Sequence, residues 1–238
     1  MQFSLTNQRN KMKTTIHFAA IVLVTVVIVY SCNSDSTTNT TTNGGGNCVT
    51  SLSGQISNWT HTGKVSLYLA VYDYTHVNRY VVDTGSISPT GAFSINLTTP
   101  PTGGLLTPTS DTSCHPLITY PAGAKIALAS FEIYDSTNAQ IGALLRSNYD
   151  TSGVAAGEFV SDFIYSTVAY TQSGTEICTD LQDTANYSAN GQACWNKIVV
   201  LYTDVFAGHA TKISVTNSEP NSSGVWYIIS FAQAKRIF

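Results

Sequence analysis

Tyr68 and Tyr72 stand four apart in a run whose odd positions, Val65, Leu67, Leu69 and Val71, are apolar, and Tyr74 and Tyr80 follow closely. Phenol rings sharing one strand face stack on sugars or anchor a protein partner while their hydroxyls stay wet. The bland alternative is a second sheet layer or a loop that covers them. Glu132 and Glu158 form a carboxylate pair of the type glycoside hydrolysis uses, although any β-rich chain offers such pairs. His61, His76, His115 and His209 are scattered over expected loops and strand ends and read as surface residues. No G-x-S-x-G, H-E-x-x-H or glycine-rich phosphate loop occurs, so the chemistry leans to binding rather than catalysis, and no motif calls for a cofactor. Asp180, Asp183 and Asn186 place oxygen side chains three apart; they are a weak calcium candidate, since that ion needs 6–8 oxygens, against a solvated polar loop with an Asx turn. Cys48, Cys114, Cys178 and Cys194 suggest two disulfides, and three pairings are open. Cys178–Cys194, pinning the polar loop between them, and Cys48–Cys114, clamping the domain's entry, are the expected pair. Zinc is disfavoured because no C-x-x-C spacing exists.

These residues need elements to hold them, and the pattern is that of strands. Period-two alternation recurs over Val65–Tyr72, Phe93–Leu97, Ala127–Ile133, Ile141–Leu145, Phe163–Tyr170, Trp195–Tyr202, Lys212–Val215 and Val225–Phe231. Ser88–Gly91, Asp135–Asn138 and Asn190–Gly191 read as turns, and 217–224 as the tip of a closing hairpin. No segment has a helical apolar stripe over three turns. About nine to ten short strands predict one all-β domain over residues 48–238, a single antiparallel β-sandwich.

The first 31 residues read as a leader. Arg9, Lys11 and Lys13 precede the apolar run Phe18–Tyr30, which is short of the roughly 20 residues a spanning helix needs. Met1 and Met12 are both possible starts. The run closes Val29-Tyr30-Ser31-Cys32, which resembles a bacterial lipobox. That resemblance implies removal of residues 1–31, lipidation of Cys32 (palmitate among the acyl chains) and, with Asn33 next, delivery to the outer membrane, with a periplasmic or a surface face. An ordinary secretory signal cut after Ser31 and an uncleaved anchor are the alternatives. Each buried methylene contributes about 0.8 kcal/mol, so several chains on one cysteine hold a protein at the lipid bilayer. Residues 33–47, NSDSTTNTTTNGGGN, have no apolar side chain; with Cys32 they are expected to form a disordered tether spanning roughly 20 Å.

Leu52-Ser-Gly-Gln-Ile56, Gly63–Leu69 and Gly85–Leu97 loosely resemble the opening of transthyretin-like and carboxypeptidase-regulatory-like sandwich modules. That implies an accessory role in adhesion, positioning or binding. After Leu97 the chain adds strands those small modules lack. The 238 residues are 43% apolar and 11% charged, far below the charge of a disordered polyelectrolyte or coiled coil. Three of the 11 basic residues precede Cys32 and all 14 acidic residues follow it, so the processed chain has a net charge of −6. That excludes electrostatic binding of nucleic acid. The expectation is a cell-envelope lipoprotein whose partners are the bilayer and a glycan or an envelope protein. A secreted hydrolase and a purely structural envelope component are the other readings.

Overall fold

The computed structural model describes residues 40–42, 48–73, 75–107, 118–148, 155–178, 183–206, 209–220 and 224–229. Among these the chain is all-β, with fifteen strands. The first half holds β1 (Thr40–Thr42), β2 (Val49–Gln55), β3 (Val65–Tyr72), β4 (Arg79–Ile87), β5 (Ala92–Asn96), β6 (Ile118–Thr119), β7 (Ile126–Leu128) and β8 (Ser130–Asp135). The second holds β9 (Gln140–Ser147), β10 (Phe159–Ser166), β11 (Tyr170–Cys178), β12 (Asp183–Gly191), β13 (Trp195–Phe206), β14 (His209–Thr216) and β15 (Val225–Ile229).

The strands hydrogen-bond in the order β1-β2-β5-β4-β3-β8-β9-β10-β13-β14-β12-β11-β6, with β15 added to β9 and β7 to β10. Among the described residues every ladder between strands is antiparallel except β12 with β14, which is parallel. The strands exceed the nine to ten expected, and the pure antiparallel expectation is corrected at that one pair. The closing hairpin is corrected as well: β14 pairs with β13 and β12, whereas β15 crosses to β9. β1 lies inside the stretch expected to be an unstructured tether, yet its backbone pairs with Val49–Leu52 of β2.

Alternation explains how the sheet is used. β5 is strictly alternating, with Phe93 and Ile95 buried between exposed Ala92, Ser94 and Asn96. It turns on Ser88–Gly91, where Gly91 has φ 86° and Ser88 N donates to Ala92 O at 2.7 Å; only glycine adopts that conformation without strain. β10 is buried on both faces, and its two sets of side chains enter different cores. Phe163 packs with Leu52, Leu67, Phe131, Trp195 and Trp226 in the first. Val160 and Ile164 pack with Tyr187, Ile198, Val200, Ile213 and Val215 in the second. Side chains of β2 and β5 share the first core with those of β8, β10 and β13, so the sheet curves back over itself. Bridges from Cys48 to Asn196 and from Ile56 to Trp226 close that approach.

One disulfide joins Cys48 to Cys194 across 146 residues, with Cα atoms 5.7 Å apart. The expected Cys178–Cys194 pairing is therefore corrected. Cys178 opens the β11–β12 hairpin opposite Asp183, while Cys194 follows its far end, where Tyr170 faces Gly191. Eight residues of strand separate the two ends, roughly 26 Å, and no disulfide reaches that far. The expected Cys48–Cys114 bond falls too, since Cys48 is already bonded; Cys114 lies outside the described residues. Buried Asn196 shapes the turn that presents Cys194: its Oδ1 accepts from Gln192 N at 2.8 Å and its Nδ2 donates to Cys194 O at 2.7 Å.

Candidate binding face on strands β3, β4 and β8

In β3 the odd positions enter the first core, which sends Tyr68 and Tyr72 to the opposite face. Register then determines what stands beside them. Tyr68 faces Glu132 on β8 and Tyr72 faces Arg79 on β4. β8 repeats the logic, with Phe131 and Ile133 in the core and Glu132 and Tyr134 on the tyrosine side.

Glu132 is the centre of this face and only 1% exposed. Its Oε1 accepts from the Tyr72 hydroxyl, and its Oε2 from Arg79 Nε at 2.6 Å and from the Tyr134 hydroxyl at 3.2 Å. The Arg79 guanidinium carbon sits 5.1 Å from the Tyr134 ring centre and 5.4 Å from that of Tyr68. Those two rings meet edge to face at 5.4 Å. Burial, then the hydrogen bond and charge of Glu132, push the Tyr72 phenol above its ordinary pKa. Burial works against the Arg79 charge, but the hydrogen bond and charge of Glu132 outweigh it and raise the guanidinium's pKa. The result is a neutral ion pair clamped between aromatic rings.

The β3–β4 turn forms the rim. Asp73 Oδ1 accepts from Thr75 N at 3.1 Å and Thr75 Oγ1 at 2.6 Å, and the Thr75 hydrogen bond leads in holding its carboxyl at about 2. His76, with φ 56°, stacks on Tyr72 at 6.2 Å. Val77 beside it is 78% exposed, and Val81 on β4 is 46% exposed.

Not every sequence candidate joins this site. Tyr80 is corrected: it pairs with Val71, shares that residue's face, and packs against the first core with its ring over Gly103. Tyr74 lies outside the described residues. Glu158 does not meet Glu132, since it caps a turn by accepting from Ala155 N at 2.7 Å. Glu132 faces Ala143 of β9, whereas Phe159, next to Glu158, is held by Asn148 five residues further on. That places the two carboxylates on the order of 15 Å apart, well beyond the spacing of either glycosidase mechanism. His61 lies against Trp59 at 5.2 Å, away from the face; His115 and the His209 side chain lie outside the described residues.

Of the calcium candidate, Asn186 lies on β12 and the backbone of Asp183 opens that strand, while the Asp183 side chain lies outside the described residues. Asn186 Oδ1 accepts instead from Thr175 Oγ1 at 2.7 Å. Asp180 lies outside the described residues. Among the described residues no group of three His, Cys, Asp or Glu side chains is placed to hold a metal.

Sequence reasoning missed two members of the face. Tyr134 carried a signal, because it continues the even positions of a strand whose odd positions are apolar. Arg79 carried none, since its place depends on a register shift between Leu69 and Ala70. A second charged cluster was also unforeseen. Glu219 receives Arg146 Nε and Nη2 at 2.7 Å each, Ser161 Oγ at 3.1 Å and Lys197 Nζ at 3.2 Å. It ties the segment after β14 to β9, β10 and β13.

No protein-family model, curated protein or solved structure matches this chain.

Proposed function

We propose that the chain is an outer-membrane lipoprotein anchored through acylated Cys32, whose folded part is a non-catalytic binding module for a glycan or an envelope protein. The observation that carries the binding role is the face of β3, β4 and β8. Tyrosine rings, an arginine and a buried carboxylate converge there from three strands, and two exposed valines border them. Tyr and Arg are the residues that dominate recognition surfaces. The two glutamates that hydrolysis would pair stand far apart. A sandwich arrangement of the folded part is supported by β2 and β5 sharing one core with β8, β10 and β13. The likeness to transthyretin-like modules rests on the strands Leu52–Ile56, Gly63–Leu69 and Gly85–Leu97. The anchor rests on the leader and on Val29–Cys32.

Two measurements test this reading. Full-length protein made in a diderm bacterium fed alkynyl palmitate is expected to take up label and sediment with outer membranes, and Cys32→Ser to lose both. Unlabelled protein with its leader intact overturns the placement. Tyr68→Ala and Tyr72→Ala are expected to abolish retention on glycan arrays or immobilised envelope extracts. Retention that ignores both variants overturns the face.

A further inference from the structure

The hydrogen-bond inventory of the face narrows its ligand. Glu132 takes the Nε proton of Arg79 and no other. Arg79 Nη2 is buried and has no hydrogen-bond partner among the described residues; the guanidinium carbon lies over the rings of Tyr68 and Tyr134. The side chain is nonetheless 29% exposed, so it reaches solvent beside partly exposed rings. Its charge is already compensated by Glu132 at 2.6 Å, and Asp73 stands at the rim. Together with the −6 of the processed chain, this field gives an anion no advantage. The face thus offers flat stacking surface and hydrogen-bond donors without net charge.

Preorganisation adds a second argument. One carboxylate holds Tyr72 from β3, Arg79 from β4 and Tyr134 from β8 in a single arrangement. Side chains locked before a ligand arrives lose little entropy when it binds. A weakly attractive, neutral ligand benefits most from that economy.

We propose that this face binds the rings of an uncharged saccharide. Tyr72 and Tyr68 supply the stacking surface, Arg79 donates to ring hydroxyls, and Glu132 is the positioning residue beneath them. The proposal rests on the binding reading above and specifies its ligand.

The test uses full-length protein in a detergent without a sugar headgroup. It is titrated calorimetrically with neutral gluco-, manno-, galacto- and xylo-hexaoses and with galacturonate hexamer, and screened in parallel against a peptide array. At least one neutral hexaose is expected to bind, and galacturonate at least tenfold more weakly. Tyr72→Ala and Tyr68→Ala are expected to weaken binding at least tenfold, Arg79→Lys at least threefold, and Tyr80→Phe not at all. Glu132→Gln is expected to weaken binding and shift the Arg79 Nε–H resonance, whereas Glu132→Asp restores part of both. The variants at the partly exposed Tyr68 and Tyr72 keep the test decisive should Glu132→Gln fail to fold. Preference for galacturonate, or neutral binding indifferent to Tyr68 and Tyr72, overturns the proposal. Peptide capture that depends on Tyr72, with every saccharide silent, overturns the saccharide but leaves the binding face standing. Silence in both screens overturns both.

Discussion

Two carboxylates, the buried Glu132 and the half-buried Glu219, each gather several donors, and each makes a separate prediction. Glu132→Gln keeps the shape but removes the charge that Arg79 faces at 2.6 Å. Breaking a buried pair costs about 3–5 kcal/mol; because Arg79 is partly exposed, a loss of about 2–3 kcal/mol is expected from urea midpoints. Burial pushes the Glu219 carboxyl up, but the hydrogen bonds and charge of Arg146, and then those of Lys197, outweigh it and leave the group at about 2. A lowered folded value means that the stability it contributes is present above the unfolded value of 4.5 and disappears as pH falls towards 2. With allowance for solvent screening this is on the order of 1–2 kcal/mol. Glu219→Gln is expected to flatten that limb of a stability-against-pH curve. At this scale Tyr68 and Tyr72 were legible, because alternation alone determines a face. Arg79 and Glu219 were not, because their partners lie 53 and 73 residues away.

Among the elements, apolar alternation located β3, β5, β8, β9, β13 and β14 to within a few residues, whereas β11 and β12 escaped it. Their sequences, YTQSGTEIC and DTANYSANG, look like loop. They fold as a nine-residue ladder because Tyr170, Gln172, Glu176, Ala185, Tyr187 and Ala189 turn inward together and bury. Polar inward groups find partners there, as Tyr187 does by donating to Glu176 Oε2 at 2.6 Å. Asn190–Gly191 carried the strongest turn signal, yet both residues end β12 and the turn falls at Gln192–Cys194. Gly191 is required for another reason: Tyr170 lies across it, and any Cβ there would overlap the ring. Gly191→Ala is expected to displace Tyr170 and cost about 1–3 kcal/mol. Hydrogen exchange should quicken over Tyr170–Cys178 and leave β3 and β8 unchanged; equal quickening in all of them would contradict the local account.

For the whole molecule, the Cys48–Cys194 disulfide links the start of the described domain to its late strands. By chain-entropy reasoning, closing 146 residues stabilises by up to about 5 kcal/mol. Cys194→Ser is expected to lower the melting temperature under non-reducing conditions, and added reductant should lower the parent protein to match. A parent melt indifferent to reductant would show the bond to be unimportant. From composition and alternation alone came the all-β class of the described residues and the outward placement of Tyr68 and Tyr72. These are local properties, set by a period of two and by the side chain at each position. The pattern read as a leader, closing on Cys32, is equally local, which is why it is read as a string. The Cys48–Cys194 bond, the parallel β12–β14 pair, the crossing of β15 to β9 and the meeting of Arg79 with Glu132 were decided by tertiary structure. Each depends on which distant strands become neighbours and in what register, and an alternating pattern is satisfied equally well by many such choices.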